Sequence, residues 1–435
     1  MCKAAAAIIL PPRAKPRAPD VRKLKVSPVS QPASRNTLYL SPYFWPEEIG
    51  SAPYSTELAV WLQEQGHKLH VVAFRPHYPK IEDFGAWSDG TRDEETLGKI
   101  RISRIAVAER GSGGLKERVK NDIRFLLGVW SRAIRGRFRG TDVVVAYVPS
   151  ILTLFAALPV RWLTGSRVVA VVHDIESGLA RSLGLTSNKL ILSVMGFVER
   201  LALNRSDHVV VLTEGMKSEL WKIGCRRPIS VLSIWASTAP VADVQGEAPV
   251  KLMYSGNFGK KQNLDQLIPL IKRLSDESSS IRVVMQGDGS EKARLEKRFS
   301  EAGILNTEFG PLVPSSELMS SLQSAAIHLV PQALNVANYA LPSKLFSIMS
   351  AGRPFVCIAE PGSPLDLLTR KSRAGLCIPP GDEDRLFQEI ISLARDIDDQ
   401  RAKGENGRAY VIAHMNKEAI MRDYHAILLG AEQPR

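Results

Sequence analysis

Short runs of consecutive apolar residues recur along this chain, and they constrain its fold more than any other feature. DVVVAYV (142–148), RVVAVVH (167–173) and HVVVLT (208–213) are β-branched stretches without polar alternation. A strand that is apolar at successive positions must be covered on both faces, which is the pattern of a parallel sheet flanked by helices. Leu38-Tyr39-Leu40 and the run from Leu69 to Phe74 fit the same reading. Between them an amphipathic helix carries Leu58 and Leu62 and stops at Gly66, completing a βαβ unit. Another helix is expected from Leu190 to Leu203.

The stretch ASTAPVADVQGEAP (236–249) is small, polar and proline-containing, and reads as a linker. After it the alternation restarts with KLMYSG (251–256), IRVVMQG (281–287), IHLVP (327–331), PFVCIA (354–359) and AGLCIP (374–379). Intervening helices are expected to start near Leu264, Glu291, Ser316, Ser343 and Glu383. The expectation is an α/β protein of two doubly wound, Rossmann-like domains facing a central cleft. Ligands of such sheets bind beyond the carboxyl ends of the strands. With 435 residues there is room for two such cores. The boundaries read as a basic tail (1–35), a first domain (36–240), a second (241–415) and a C-terminal helix (416–435) returning toward the first domain.

Hydrophobic content of 44% and charged content of 23% belong to a soluble globular chain. No apolar run approaches the ~20 residues that span a bilayer. Cys2, Cys225, Cys357 and Cys377 show no C-x-x-C spacing, so reduced thiols are expected and no zinc site. The net charge of +12 is localised: residues 1–36 and residues 110–139 each carry +7, leaving the remainder slightly acidic. The first patch is rich in Pro, Ala and Ser and reads as disordered, with a flexible tail, an over-extended start or a basic leader all open.

Four places at strand ends and helix starts bear on chemistry. Gly50-Ser51-Ala52 lets a backbone approach a ligand closely, or forms a plain turn. His173 and Asp174 follow a buried strand, where an imidazole can donate a hydrogen bond or be satisfied by a neighbouring carbonyl. YSGNFGKKQNLDQLI ends a strand and carries Lys260 and Lys261 on a glycine loop, either a diphosphate cradle or a solvated basic loop. QGDGSEKARLE, with Gly287, lacks the third glycine of a dinucleotide fingerprint. In NYALPSKLFSIMSAGRPF, Pro342-Ser343-Lys344 opens a helix with no carboxylate in the stretch, so an anion supplied by a ligand is the economical partner for Lys344.

Taken in order, YFWPEEIGSAPYSTELAVWLQEQGH, YSGNFGKKQNLDQL, GDGSEKARLE and LPSKLFSIMSAGRP resemble the family-4 retaining glycosyltransferases of GT-B fold, closest to their colanic-acid and exopolysaccharide branch. The resemblance runs from Leu38 to about Met415. It implies an acceptor-binding first domain and a nucleotide-sugar-binding second domain. It places His173 beside the transferred sugar and Lys261 on the leaving diphosphate as catalytic residues. Gly50, Ser51, Asn257, Gly287, Tyr339, Pro342, Ser343, Lys344 and Ser347 would bind the donor. Asn257 stands where the family commonly has arginine, and Tyr339 and Ser347 where many members carry glutamates.

The implied reaction moves a sugar from a UDP- or GDP-linked donor to a lipid-linked glycan, with retention, no metal and no other cofactor. A catalytically degenerate scaffold and a non-hydrolysing nucleotide-sugar epimerase are the alternatives. In GLKERVKNDIRFLLGVWSRAIRGRF, Leu115, Val119, Ile123, Leu126, Leu127, Trp130, Ile134 and Phe138 share one side of a basic helix. Lys116, Lys120, Arg124 and Trp130 are candidate contacts to an anionic membrane, against a helix docked on its own core. The expected location is the inner face of the cell membrane, held peripherally. No nucleic-acid signature accompanies the basic residues.

Overall fold

Each half of the chain builds its own sheet. The first half contributes β1 (Asn36–Leu40), α1 (Ala52–Glu64), β2 (Lys68–Phe74), β3 (Glu94–Leu97), β4 (Ile100–Ile105), α2 (Leu115–Ile134) and β5 (Val143–Val148). It continues through α3 (Ile151–Thr164), β6 (Arg167–Val172), α4 (Glu176–Ser182), α5 (Lys189–Leu203), β7 (His208–Val211), α6 (Glu214–Lys222) and β8 (Ile229–Val231). The second half contains β9 (Val250–Asn257), α7 (Ile268–Glu277), β10 (Ile281–Asp288), α8 (Lys292–Glu301), β11 (Thr307–Gly310), α9 (Ser315–Gln323) and β12 (Ile327–Pro331). It closes with α10 (Lys344–Ser350), β13 (Phe355–Ile358), α11 (Pro364–Ser372), β14 (Gly375–Ile378), α12 (Glu383–Arg395), α13 (Ile397–His414) and α14 (Lys417–Leu429).

This computed structural model describes residues 34–431, except 49, 78–80, 88, 108–114, 149, 185–187, 237–239, 241–248, 279, 305, 335, 337–338 and 340–341. The expected disordered tail, save its last two residues, and most of the expected linker lie outside the described residues.

The strand order is β3-β4-β2-β1-β5-β6-β7-β8 in the first sheet and β11-β10-β9-β12-β13-β14 in the second. Among the described strands only the β3–β4 pair is antiparallel. All six residues of β5 are buried, as an all-apolar run requires. Helices cover both faces. Leu58 and Leu62 of α1 share one core with Tyr424 and Ile427 of α14, while Phe125, Val129, Leu154 and Ala202 line the other face. Chain order reverses between β1 and β5 in one sheet and between β9 and β12 in the other. At these reversals the connections leave in opposite directions and open a crevice at the strands' carboxyl ends.

The differences from the sequence reading lie at or beside the sheet edges. β3, β4 and β11 mix charges into short runs and β8 (Ile-Ser-Val) is only three residues long, so the sequence pattern does not announce them. In β4 (IRISRI), Arg104 is buried, and its guanidinium donates to the Glu95 carboxylate of β3 and to the carbonyls of Phe74 and Trp45. All three nitrogens donate, so a charge sits inside a strand at tolerable cost.

Helix α2 corrects the face assigned from sequence. Phe125, Val129, Ala133 and, just beyond the helix, Phe138 pack into the core, whereas Val119, Ile123, Leu127 and Ile134 stay exposed. Trp130 is not a surface anchor. It is half-buried, and its indole N–H donates to the carbonyl of Phe155 on α3, since a wedged indole must satisfy its donor. Lys120 and Arg124 are exposed; the side chain of Lys116 lies outside the described residues.

Helix α14 lies on the first sheet's α1 side, with Ile420, Met421, Tyr424, Ile427 and Leu428 buried. Burial of each such side chain stabilises by roughly 1.5–3 kcal/mol. Lys417 reaches Glu57 of α1 at 2.5 Å.

Glu199 of α5 is buried and ties α5 to the start of α4, accepting the Glu176 N–H at 3.1 Å and the Ser177 hydroxyl. Burial raises its carboxyl from 4.5 to about 7, with the Ser177 hydrogen bond pulling the other way. Between those pH values the unfolded chain has lost a proton that the folded chain keeps, so this group's contribution to stability falls as pH rises. Glu199→Gln keeps one acceptor oxygen for the Glu176 N–H, turns an amide N–H toward the Ser177 hydroxyl, and does not ionise. Relative to it, the wild type should lose roughly 1–3 kcal/mol between pH 4.5 and 7.5, read as a falling difference in unfolding temperature. Parallel curves for the two proteins would rule this out.

Candidate functional site

Strand β9 ends in Ser255-Gly256-Asn257, and Gly256 has φ +144°. A Cβ there would stand 3.2 Å from Cδ of Lys344, so the glycine leaves room for the lysine stem. Lys344 is the first residue of α10. Its ammonium lies 3.6 Å from the ring centroid of Tyr254, and its Nζ is buried with no hydrogen-bond partner among the described residues. A cation–π contact is worth about 2 kcal/mol when desolvated, less than the several kcal/mol that burying an ammonium costs. Desolvation accordingly drives the Lys344 pKa well below its ordinary value. The Tyr254 hydroxyl donates to the Asn257 carbonyl at 2.6 Å, which fixes the ring under the lysine.

The neighbouring strand end approaches backbone to backbone. Gly287 of β10 pairs with Gly256, and a Cβ on Gly287 would fall 1.8 Å from the Gly256 carbonyl oxygen. Only glycine fits this position. Asn257 is exposed at the tip of β9, with its side chain beside the turns at Gly259 and Gly289.

Lys261 sits in the turn that follows Gly259, and its carbonyl accepts the Ala333 N–H at 2.9 Å. Its ammonium donates to Oδ2 of Asp174 at 2.7 Å, an ion pair joining the two halves of the chain. The first turn of α4 follows Ile175, one residue beyond Asp174. In the sequence, its position next to a strand-end histidine is the only signal of this role.

His173 follows β6, with its ring 4.6 Å from that of buried Tyr147. Its Nε2 is buried and has no hydrogen-bond partner. Burial lowers its pKa to about 4, Asp174 opposing. The ring is therefore neutral at pH 7, with one N–H to give and one lone pair to offer.

Two further contacts close the crevice. Glu48, just before Gly50, accepts the Ser315 N–H at the start of α9 at 3.2 Å. The Ile175 N–H donates to the Tyr339 carbonyl at 3.2 Å. The ring of Tyr339 lies against Gly178 of α4, where a Cβ would be 2.2 Å from the ring edge. Tyr339 is thus a packing residue between the halves, with Leu179 and Val336 beside it. Nothing in the sequence points to the Gly178–Tyr339 fit, because its partners are 161 positions apart.

The helix starts supply polar groups without internal partners. Gly50 adopts φ +68° with open space on the side where a Cβ would stand, and the Ser51 hydroxyl makes no capping bond to α1. Ser343 likewise makes no cap bond to α10, while the Pro342 carbonyl accepts the Leu345 N–H at 3.1 Å. Ser347, half-buried, lies one turn beyond Ser343 on the same face. Lys344 thus stands against Gly256, which pairs with Gly287, and Lys261 meets Asp174 beside the neutral imidazole of His173, an arrangement of cations and glycine-lined strand ends suited to a polyanion. Among the described residues, no three His, Cys, Asp or Glu side chains come together to hold a metal ion.

Known proteins share this architecture. Residues 50–235 match the glycosyl transferase 4-like domain, and residues 243–410 match the glycosyl transferases group 1. Over 407 residues the chain is 29% identical to WcaI of Escherichia coli (strain K12), a glycosyl transferase assigned to colanic acid biosynthesis, spanning 87% of this chain and 96% of that protein. Sucrose-phosphate synthase from Thermosynechococcus elongatus shares the fold with a TM-score of 0.72 at 16% identity, over 91% of this chain and 99% of that one. Anabaena HepE, solved in complex with UDP, gives 0.63 at 13% identity, over 91% and 100%. Both halves match glycosyltransferase families in their proper order, and the paired sheets are those of the solved enzymes: the chain belongs to the family-4 glycosyltransferases of GT-B fold.

Proposed function

We propose that this glycosyltransferase moves a sugar from a UDP- or GDP-linked donor to a lipid-linked saccharide during synthesis of a cell-surface polysaccharide. The observation that carries the donor reading is Lys344, whose buried ammonium has no hydrogen-bond partner among the described residues. A diphosphate supplies the missing charge. HepE, solved with UDP and with UDP-glucose, binds a donor of this class in a related fold. The polysaccharide assignment rests on the likeness to WcaI.

In this reading the transfer is metal-independent and retaining. As the glycosidic bond to the donor breaks, negative charge grows on the diphosphate and positive charge on the sugar. Lys344 and Lys261 hold the growing negative charge, an effect strong in a water-poor cleft. Gly256 and Gly287 let the diphosphate approach the strand ends. His173, neutral at pH 7, gives its N–H to a sugar hydroxyl without competing for the anion. Asp174 is engaged by Lys261, so no pair of carboxylates stands ready for double displacement. The acceptor oxygen bonds to the anomeric carbon on the face that the diphosphate leaves, and the departing phosphate takes the acceptor's proton.

The acceptor and membrane part of the proposal rests on the first half's surface. Val119, Ile123 and Leu127 of α2 are exposed, as are Leu190, Ile191, Val194 and Phe197 of α5. The one acid of α5, Glu199, is buried, so that helix exposes apolar and cationic groups together with Ser193. No described helix is long and apolar enough to cross a membrane. A peripheral hold on anionic lipid at the inner face of the cell membrane would bring the enzyme to a lipid-linked acceptor.

Calorimetric titration of UDP, GDP and ADP tests the donor reading. The wild type should bind one base selectively. Lys344→Met should bind that nucleotide at least about tenfold more weakly, with an unfolding temperature equal to or above the wild type's, because an unpaired buried charge is removed. Undiminished binding by Lys344→Met would refute the phosphate role, and donor-dependent product in an assay would exclude a pure scaffold. Flotation with liposomes tests the membrane reading. The wild type should float with anionic but not zwitterionic vesicles, and the double change Lys120→Ala/Arg124→Ala should weaken this by roughly thirtyfold, at about 1 kcal/mol per charge. Equal partitioning to both lipids would count against it.

A further inference from the structure

The ion pair between Lys261 and Asp174 bears on how the nucleotide leaves. Lys261 belongs to the turn after β9 and Asp174 to the segment after β6, so the 2.7 Å contact spans the crevice. Both side chains retain some exposure, 34% and 26%, so the pair can open without unfolding anything around it. Lys344 contrasts with it: its ammonium is buried and has no carboxylate. One lysine therefore waits for an anion, and the other already has one.

We infer that Asp174 is a positioning residue that competes with the nucleotide's diphosphate for Lys261. The inference rests on the nucleotide-sugar reading above. When the donor enters, its diphosphate displaces the Asp174 carboxylate from the Lys261 ammonium. After transfer, Asp174 recaptures the ammonium and loosens the nucleoside diphosphate. No bond is made or broken in the exchange; one carboxylate–ammonium contact is traded for one phosphate–ammonium contact. Holding Lys261 between visits also keeps its flexible stem from sampling solvent, which lowers the entropy cost of aiming it at the donor.

A competitor of this kind has a signature that a structural strut lacks. Removing it tightens the product complex and slows release, so kcat and KM fall together. Removing a strut weakens binding and stability instead.

The test compares wild type, Asp174→Asn, Asp174→Glu and Lys261→Ala. UDP, GDP and ADP serve as probes, with dissociation rates measured by stopped flow beside steady-state kinetics. Asp174→Asn should bind the preferred nucleoside diphosphate about three- to tenfold more tightly, with slower dissociation and lower kcat and KM. Asp174→Glu, which keeps the carboxylate, should lie between it and the wild type. In the Lys261→Ala background, Asp174→Asn should leave nucleotide affinity unchanged, because the contested group is gone. Asp174→Asn binding equally or more weakly than a wild type that does bind nucleotide would overturn the competition and leave the donor reading standing. A wild type that binds none of the three nucleotides would overturn both.

Discussion

Parallel strands buried on both faces leave little place for polar chemistry except their ends. In both sheets the strand interiors are apolar and roofed by helices, so loops, caps and charged groups collect at the edges. The reversal of strand order between β1 and β5, and between β9 and β12, then opens each sheet at its carboxyl edge. His173, Asp174, Gly256, Asn257 and Gly287 all stand at such ends. Lys344 opens the helix that follows β12, and Lys261 lies in the turn that follows β9. The cleft's chemistry is a consequence of where this fold permits polar groups to lie.

Within the cleft the two lysines have opposite surroundings. Lys344 is desolvated over an aromatic ring, with its stem admitted by Gly256. Such a group favours an anion strongly because nothing else nearby offsets its burial. Lys261 is partly exposed and held by a carboxylate from the other half of the chain. The first provides affinity and the second an exchangeable contact, so a nucleotide can be both gripped and released. The backbone bond from Ile175 to Tyr339 and the contact of Tyr339 with Gly178 brace the same boundary.

Much of this was legible in the sequence, for definite reasons. Uninterrupted β-branched runs located most of the parallel strands to within a residue or two, because burial on both faces leaves no alternation to misread. Pro342, Ser343 and Lys344 announced a helix start with an unneutralised charge. Edge strand β3 and its neighbour β4 were hidden because their charges are paired to each other across the hairpin, a compensation invisible one residue at a time. Trp130 and the exposed residues of α2 were misassigned because a helix with apolar residues on two sides gives no sequence signal for which side meets the core. The Lys261–Asp174 pair joins positions 87 residues apart, and only folding brings them together.

The central claim is that Lys344 lacks a charge partner until a nucleotide's diphosphate provides one. Carbon-13 NMR of lysine side chains tests it most directly, with the Lys344 ε-carbon signal identified by its loss in Lys344→Met. In the free protein that signal should titrate well below the other lysines. On saturation with the preferred nucleoside diphosphate its titration should move upward, because the bound anion stabilises the ammonium. An ordinary lysine titration in the free protein, or one indifferent to nucleotide, would contradict the account.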